Sequence, residues 1–175
     1  MNSIRVLIIA MVLVIIGCNS TDEAKPIVDN DKADSLLLPM SWPTFDEAIS
    51  TASQTGQPIL IDIYAPWCGW CRKMQQDVYT DRDLVEYVQT NFAYGRLNID
   101  DSNTLHTFQG YTLTSQELGY GLGAEGTPTS VFLTSDGTYI AKCPGYWGKD
   151  DFKTALRYVA TEAWEELSYE EFAQL

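Results

Sequence analysis

Apolar residues recur along this chain in three spacings, and each predicts a different element. Val6 to Ile16 is an unbroken apolar run of 11 residues. From Thr44 to Thr55 the apolar positions Phe45, Ala48, Ile49 and Ala52 return every three or four residues. That period predicts a helix with one buried face, which Gly56 stops and Pro58 turns onward. Ile59 to Tyr64 is apolar and β-branched except for Asp62, and a run so short predicts a central strand buried on both faces. Pro66 ends that strand, and Cys68-Gly69-Trp70-Cys71 opens a helix continuing through Arg72, Lys73 and Met74. Thr80-Asp81-Arg82-Asp83 supplies a fresh N-cap for a short amphipathic helix carrying Leu84, Val85, Tyr87 and Val88. Phe92 to Asp100 reads as a second strand.

The pattern then weakens. Asp101 to Leu113 is polar and without a period, with two exposed-looking aromatics, Phe108 and Tyr111, and the chain's one histidine, His106. It is expected to be a surface loop with a solvated imidazole, either shaping partner choice or decorating the surface. Thr114-Ser115-Gln116-Glu117 is a capping box for a short helix. Gly121 to Gly126 satisfies G-x-G-x-x-G, but a dinucleotide fingerprint must follow a strand and open a helix. Here the run follows a helix and leads into a strand, so its glycines are read as a helix stop and a flexible approach to Pro128. Thr129 to Thr134, Ser135-Asp136-Gly137 and Thr138 to Cys143 form a hairpin around an Asp-Gly turn. Lys149 to Thr161 predicts an amphipathic helix carrying Phe152, Leu156, Tyr158 and Val159. Ser168 to Glu171 caps a last acidic helix, expected to pack through Trp164, Leu167 and Phe172.

The first run changes the picture of where the chain works. Eleven apolar residues after Arg5 are too few for a membrane span, which needs about 20, and suit the core of a signal peptide. The run ends in Ile15-Ile16-Gly17-Cys18, which resembles the lipobox of bacterial lipoproteins, in which the cysteine is lipidated and becomes the mature N-terminus. A plain secretory signal with an incidental cysteine is the other reading. Residues 1–17 would be the signal, and 18–41 the lipidated cysteine with a polar tether spanning on the order of 25 Å. The formal charge of −13 becomes one unit more negative once Arg5 is removed. So acidic a body is a poor partner for nucleic acid and has no affinity of its own for anionic lipid. Membrane attachment would rest on the lipid at Cys18.

Two thiols at a strand-to-helix junction are a chemical device. The first amides of a helix lack intrahelical partners and carry positive dipole character, so a thiolate at Cys68 is stabilised there. It is expected to titrate below the roughly 8.5 of a free thiol. Cys71, one turn on, can attack a mixed disulfide made by Cys68. Of the remaining cysteines, Cys143 is expected to be a small buried hydrophobe. A metal site is not expected, because one histidine and these spacings supply no fourth ligand.

Trp67-Cys68-Gly69-Trp70-Cys71 after a buried strand, with Gly126-Thr127-Pro128-Thr129 before a hairpin, resembles the thioredoxin superfamily. The resemblance covers roughly residues 42–163, leaving 164–175 as an acidic helical extension. It is nearest to periplasmic thioredoxin-like proteins of the SoxW type, which Pro144-Gly145-Tyr146 and the helix after it also resemble, and to the C-terminal domain of DsbD. It implies an α/β thioredoxin fold, a central mixed β-sheet flanked by helices, with no cofactor. By matching position Cys68 would be the exposed nucleophile, Cys71 the buried resolving thiol, and Pro128 the cis proline facing the pair. Asp62 would be the buried carboxylate that accepts the Cys71 proton, its pKa raised by burial and moderated by Arg96; a merely tolerated strand carboxylate is the alternative. Trp67, Gly69, Trp70, Thr127, Gly145 and Tyr146 would edge the substrate surface. The Gly69-Trp70 dipeptide carries no positive charge, unlike the histidine-containing pairs of strong oxidants, which favours a reductant.

The function expected is a lipid-anchored thiol-disulfide oxidoreductase on the periplasmic side of the bacterial envelope. It would reduce disulfide-containing envelope proteins and be recharged by an upstream membrane thiol donor. A disulfide oxidase or isomerase, and a tethered binding module in which the cysteines only staple the fold, are the alternatives.

Overall fold

The computed structural model describes residues 40–175. The signal segment, Cys18 and nearly all of the tether lie outside the described residues.

Helix α1 (Phe45–Thr55) begins at Thr44, whose hydroxyl accepts the Glu47 N–H while the Glu47 carboxylate accepts the Thr44 N–H. Gly56, at φ 75°, closes it in the left-handed conformation that glycine adopts without penalty. Strand β1 (Ile59–Tyr64) follows, then α2 (Gly69–Asp77), α3 (Arg82–Asn91) and β2 (Ala93–Asn98). A small hairpin, β3 (Leu105–Phe108) and β4 (Tyr111–Thr114), leads into α4 (Ser115–Gly121). Strands β5 (Thr129–Leu133) and β6 (Tyr139–Pro144) and helix α5 (Lys149–Ala160) complete the body; a 3₁₀ turn (Ala163–Glu165) and the one-turn helix α6 (Tyr169–Phe172) end it.

The main sheet runs β2-β1-β5-β6, with β1 parallel to β2 and the other neighbours antiparallel. Its two faces build two apolar layers. Ile59, Ile61 and Ile63 pack with Phe45, Ala48 and Ala52 of α1 and Leu118 of α4. Leu60 points the other way, into Met74 and Val78 from the α2 side, Leu84 and Val88 of α3, and Phe152 and Leu156 of α5. This two-period alternation on a strand buried on both faces is what the apolar run from Ile59 requires. Gly95 lets α1 lie directly on β2. A methyl group there would stand 2.6 Å from the Thr44 carbonyl oxygen and 2.8 Å from the Ala48 Cβ.

The segment 101–113 departs from its expectation. It is a hairpin with a two-residue turn, Gln109 at φ 49° and Gly110 at φ 83°, the geometry that matches strand twist. Its polarity is inverted, which hid the alternation: Leu105 faces solvent while His106 is buried and Phe108 packs edge-on against Phe45 at 5.4 Å. His106 is therefore not solvated. Its Nδ1 lies 3.0 Å from the Asp46 carboxylate and its Nε2 2.7 Å from the Ser115 hydroxyl, fastening the hairpin to α1 and α4. Of the three residues expected to pack the C-terminal segment, Phe172 meets the Tyr158 ring, and Tyr158 is the anchor: its ring also meets Tyr169, and its hydroxyl donates to the Leu167 carbonyl at 2.7 Å.

Candidate functional site

Strand β1 delivers the chain to the site and α2 carries it away. Between them Ala65, Pro66 and Trp67 form a tight turn in which the Cys68 N–H donates to the Ala65 carbonyl at 3.1 Å. Cys68 is the N-cap of α2: its backbone is extended, and its sulfur accepts the Cys71 N–H at 3.0 Å. Cys68 and Cys71 are joined as a disulfide, with Cα atoms 5.3 Å apart. The expectation of an exposed Cys68 needs correction. It is 3% exposed and Cys71 4%, because the cap and the bond both turn the Cys68 sulfur inward, where it joins the apolar layer containing Ile63, Ala65 and Ala124.

The Thr127–Pro128 peptide is cis. The Pro128 carbonyl accepts the Gly145 N–H at 2.8 Å, tying the loop before β5 to the end of β6. Trp70, Thr127, Pro128, Gly145 and Tyr146 line one open groove of about 330 Å³. The Trp70 indole, 59% exposed, lies 5.6 Å from the Tyr146 ring. Tyr146 is braced from α2: its hydroxyl donates to Asp77 at 3.0 Å, and Lys73, paired with Asp77, stands 5.5 Å over its ring. The Thr127 hydroxyl is buried without a hydrogen-bond partner among the described residues.

Trp67 and Gly69 are not part of that groove. Trp67 is 70% exposed on the other side of the cysteines, its indole N–H held by the Asp100 carboxylate. Gly69 is exposed, and a methyl group there would meet only the flexible end of Arg72 at ordinary contact distance. The bracing residues Asp77 and Asp100 escaped the sequence reading. Lys73 and Asp77 stand four apart on one helix and could have been noticed, whereas nothing local links Asp100 to a tryptophan 33 residues away.

Asp62 is 1% exposed in the middle of β1, and its Oδ2 accepts the Arg96 Nε–H at 2.8 Å. Burial raises its pKa above the usual carboxylate range, and the Arg96 charge opposes that rise. Arg96 is itself stacked 4.0 Å over the Tyr64 ring, with Trp42 beyond it at 5.7 Å. Asp62 shares a sheet face with Leu60, the face on which α2 packs. Cys143 lies buried on β6, and burial pushes its thiol up to about 12, so it carries no thiolate near neutral pH. No group of three or more His, Cys, Asp or Glu side chains among the described residues is arranged to hold a metal. No helix among them is long and apolar enough to cross a membrane.

Comparison with known proteins agrees with this geometry. The thioredoxin-like domain family matches residues 45–160. The thiol:disulfide interchange protein DsbD of Ralstonia nicotianae is 44% identical over 36 residues, covering 21% of this chain and 6% of the relative. A TxlA homolog of Synechocystis, also named a thiol:disulfide interchange protein, is 28% identical over 97 residues, covering 55% of this chain and 46% of the relative. The chain thus spans less than half the length of these curated relatives. Among solved structures, a thioredoxin-fold protein from Helicobacter pylori superimposes with a TM-score of 0.61 at 20% identity, covering 68% of this chain and 79% of that one.

Proposed function

This chain belongs to the thioredoxin-like family, and from that premise we propose that it is a thiol-disulfide oxidoreductase that reduces disulfides of proteins in the bacterial envelope. One observation carries the reading: two cysteines bonded across the first turn of a helix, beside an open groove lined by a cis proline and two aromatic rings. In the reduced protein the Cys68 thiolate is stabilised by the leading amides of α2 and attacks a client disulfide. One client sulfur leaves as a thiolate and takes a proton, and the other is held on Cys68. Cys71 then gives its proton to Asp62 and attacks the Cys68 sulfur. The second client thiolate departs, the client has gained two electrons, and the Cys68–Cys71 disulfide remains. An upstream membrane thiol donor returns the two electrons. Burial raises the proton affinity of Asp62 against the opposing Arg96 charge, which supports it as the acceptor of the Cys71 proton.

Pro128 and Thr127 would present backbone to an extended client segment, with Trp70, Gly145 and Tyr146 as the walls of the groove. Trp67 and Gly69 would border the approach from the other side. The uncharged Gly69-Trp70 pair supports the reducing direction. The signal-like run and Cys18 support export and a lipid anchor, with 18–41 as the tether, 42–163 as the catalytic domain and 164–175 as its extension.

Replacing Cys71 with Ser removes the resolving thiol and is expected to accumulate clients covalently bound to Cys68, released by added dithiol. Recovery of no adducts, together with no disulfide turnover by the unmodified protein, would sink the proposal. Equilibration of the pair in glutathione buffers reads the direction of electron flow, since about 30 mV corresponds to 1.4 kcal/mol for this couple.

A further inference from the structure

A row of side chains crosses all four main strands on the α2 face of the sheet. Arg96 on β2 stands opposite Asp62 on β1, Asp62 opposite Ser130 on β5, and Ser130 opposite Cys143 on β6. Opposed residues share a face, and across the two antiparallel pairs their Cβ atoms lie about 4.5–5.5 Å apart. Tyr79, from the turn after α2, enters this row from the helical side. Its ring is held edge-on by Trp42 at 4.8 Å and Phe152 at 5.7 Å, and its hydroxyl ends 3.4 Å from Ser130 Oγ. Asp62, Tyr79 and Ser130 are each 1% exposed or less.

A phenylalanine would fill the Tyr79 space and place no polar group in the core. The phenol instead brings a hydroxyl that calls for a partner, and Ser130 Oγ, at 3.4 Å, is the partner within reach, with either oxygen able to donate. Burial, reinforced by the negative charge of Asp62, pushes Tyr79 well above the usual tyrosine range, so it remains a donor throughout the working pH. A serine hydroxyl that accepts from Tyr79 keeps its own proton to donate. Across the strand from it stands the buried Asp62 carboxylate.

We propose that Tyr79 is a positioning residue for Asp62: its O–H, donated to Ser130 Oγ, turns the Ser130 O–H toward the Asp62 carboxylate and supports the ionised form. Arg96 holds the same carboxylate from β2. The other titratable groups in this row are Tyr79 itself and Cys143 on β6, and Cys71 on α2 is the thiol whose proton Asp62 is proposed to accept. The hydroxyl pair and Arg96 act together against burial. This inference rests on the role proposed above for Asp62 as acceptor of the Cys71 proton.

The test uses the full chain, reduced, carrying Tyr79→Phe or Ser130→Ala. The Asp62 carboxyl titration is followed by NMR, and the pH dependence of Cys71 attack is followed in single turnovers. Either substitution is expected to raise the Asp62 midpoint by about half a pH unit, roughly a threefold change in proton affinity. The single-turnover profile moves the same way, and in an Asp62→Asn background Tyr79→Phe leaves that profile where it was. An Asp62 midpoint that stays or falls in a folded variant overturns the proposal, and if Tyr79→Phe does not fold, Ser130→Ala decides alone. A midpoint that rises in a protein whose unmodified form reduces no disulfide keeps the network and removes the oxidoreductase reading instead.

Discussion

Asp62 and Asp46 each hold a basic side chain, in mirrored settings. Asp62 is buried and its partner Arg96 sits at the edge, 22% exposed; His106 is buried and its partner Asp46 is 56% exposed. In the first pair desolvation falls on the acid and raises its proton affinity, which is what a proton acceptor needs. In the second both imidazole nitrogens are occupied, by Asp46 and by Ser115, so the ring joins three elements and has no position left for a reacting group. Acid, imidazole and hydroxyl do stand there in the order that serine nucleophiles use. The adjoining amides, however, are spent on the hairpin, Ser115 N–H on the Thr104 carbonyl and Gln116 N–H on the Asp101 carbonyl, both at 3.0 Å, and none faces a developing oxyanion. Under the proposed function the Asp62 contact serves chemistry, because it leaves the acid strained in its charge state. The His106 contact is a clamp.

Substitutions can break that contrast. Arg96→Met strands the Asp62 charge and is expected to cost about 3 kcal/mol of stability in denaturant unfolding near neutral pH, while slowing Cys71 attack. His106→Ala leaves the Ser115 hydroxyl without its imidazole and is expected to cost about 2 kcal/mol, with disulfide exchange unchanged. A loss of exchange in that variant would make the clamp part of the site. The smallest effect has the opposite sign. Because the folded pKa of Asp62 is raised above 3.8, the folded state binds the proton more tightly, and the buried carboxylate lowers stability progressively as pH rises from that value through the folded pKa. Asp62→Asn is therefore expected to stabilise the protein at pH 8, by on the order of 1 kcal/mol, the size of an ordinary single-substitution effect. The gain fades as pH falls toward 4, and thermal unfolding across that range measures it.

The same contrast explains what the sequence disclosed. Cys68 and Cys71 were legible from their place one turn apart at a strand-to-helix junction, and Asp62 from the resemblance, six residues before Cys68. Their apolar neighbours Ile59 to Ile63 announced the strand. Arg96 was legible only through the resemblance, and the in-register pairing of β2 with β1 is what brings it to Asp62. His106 was not, since its partners are 60 and 9 residues away and its hairpin carries Leu105 outward and an imidazole inward, against the usual alternation. Tyr79 and Ser130 were hidden for a related reason. They are 51 residues apart and meet only when the turn after α2 closes over the sheet.

Cys68 also begins a helix, and this decides which inert version of the protein is a fair control. Serine at that position keeps an oxygen to receive the Cys71 amide and ranks among the best residues for starting a helix, whereas alanine forfeits the contact and about 1 kcal/mol with it. A serine substitution therefore removes the chemistry while sparing the scaffold. An alanine substitution would confound the two, and a phenotype from it alone could be mistaken for loss of electron transfer when part of it is a loosened first turn.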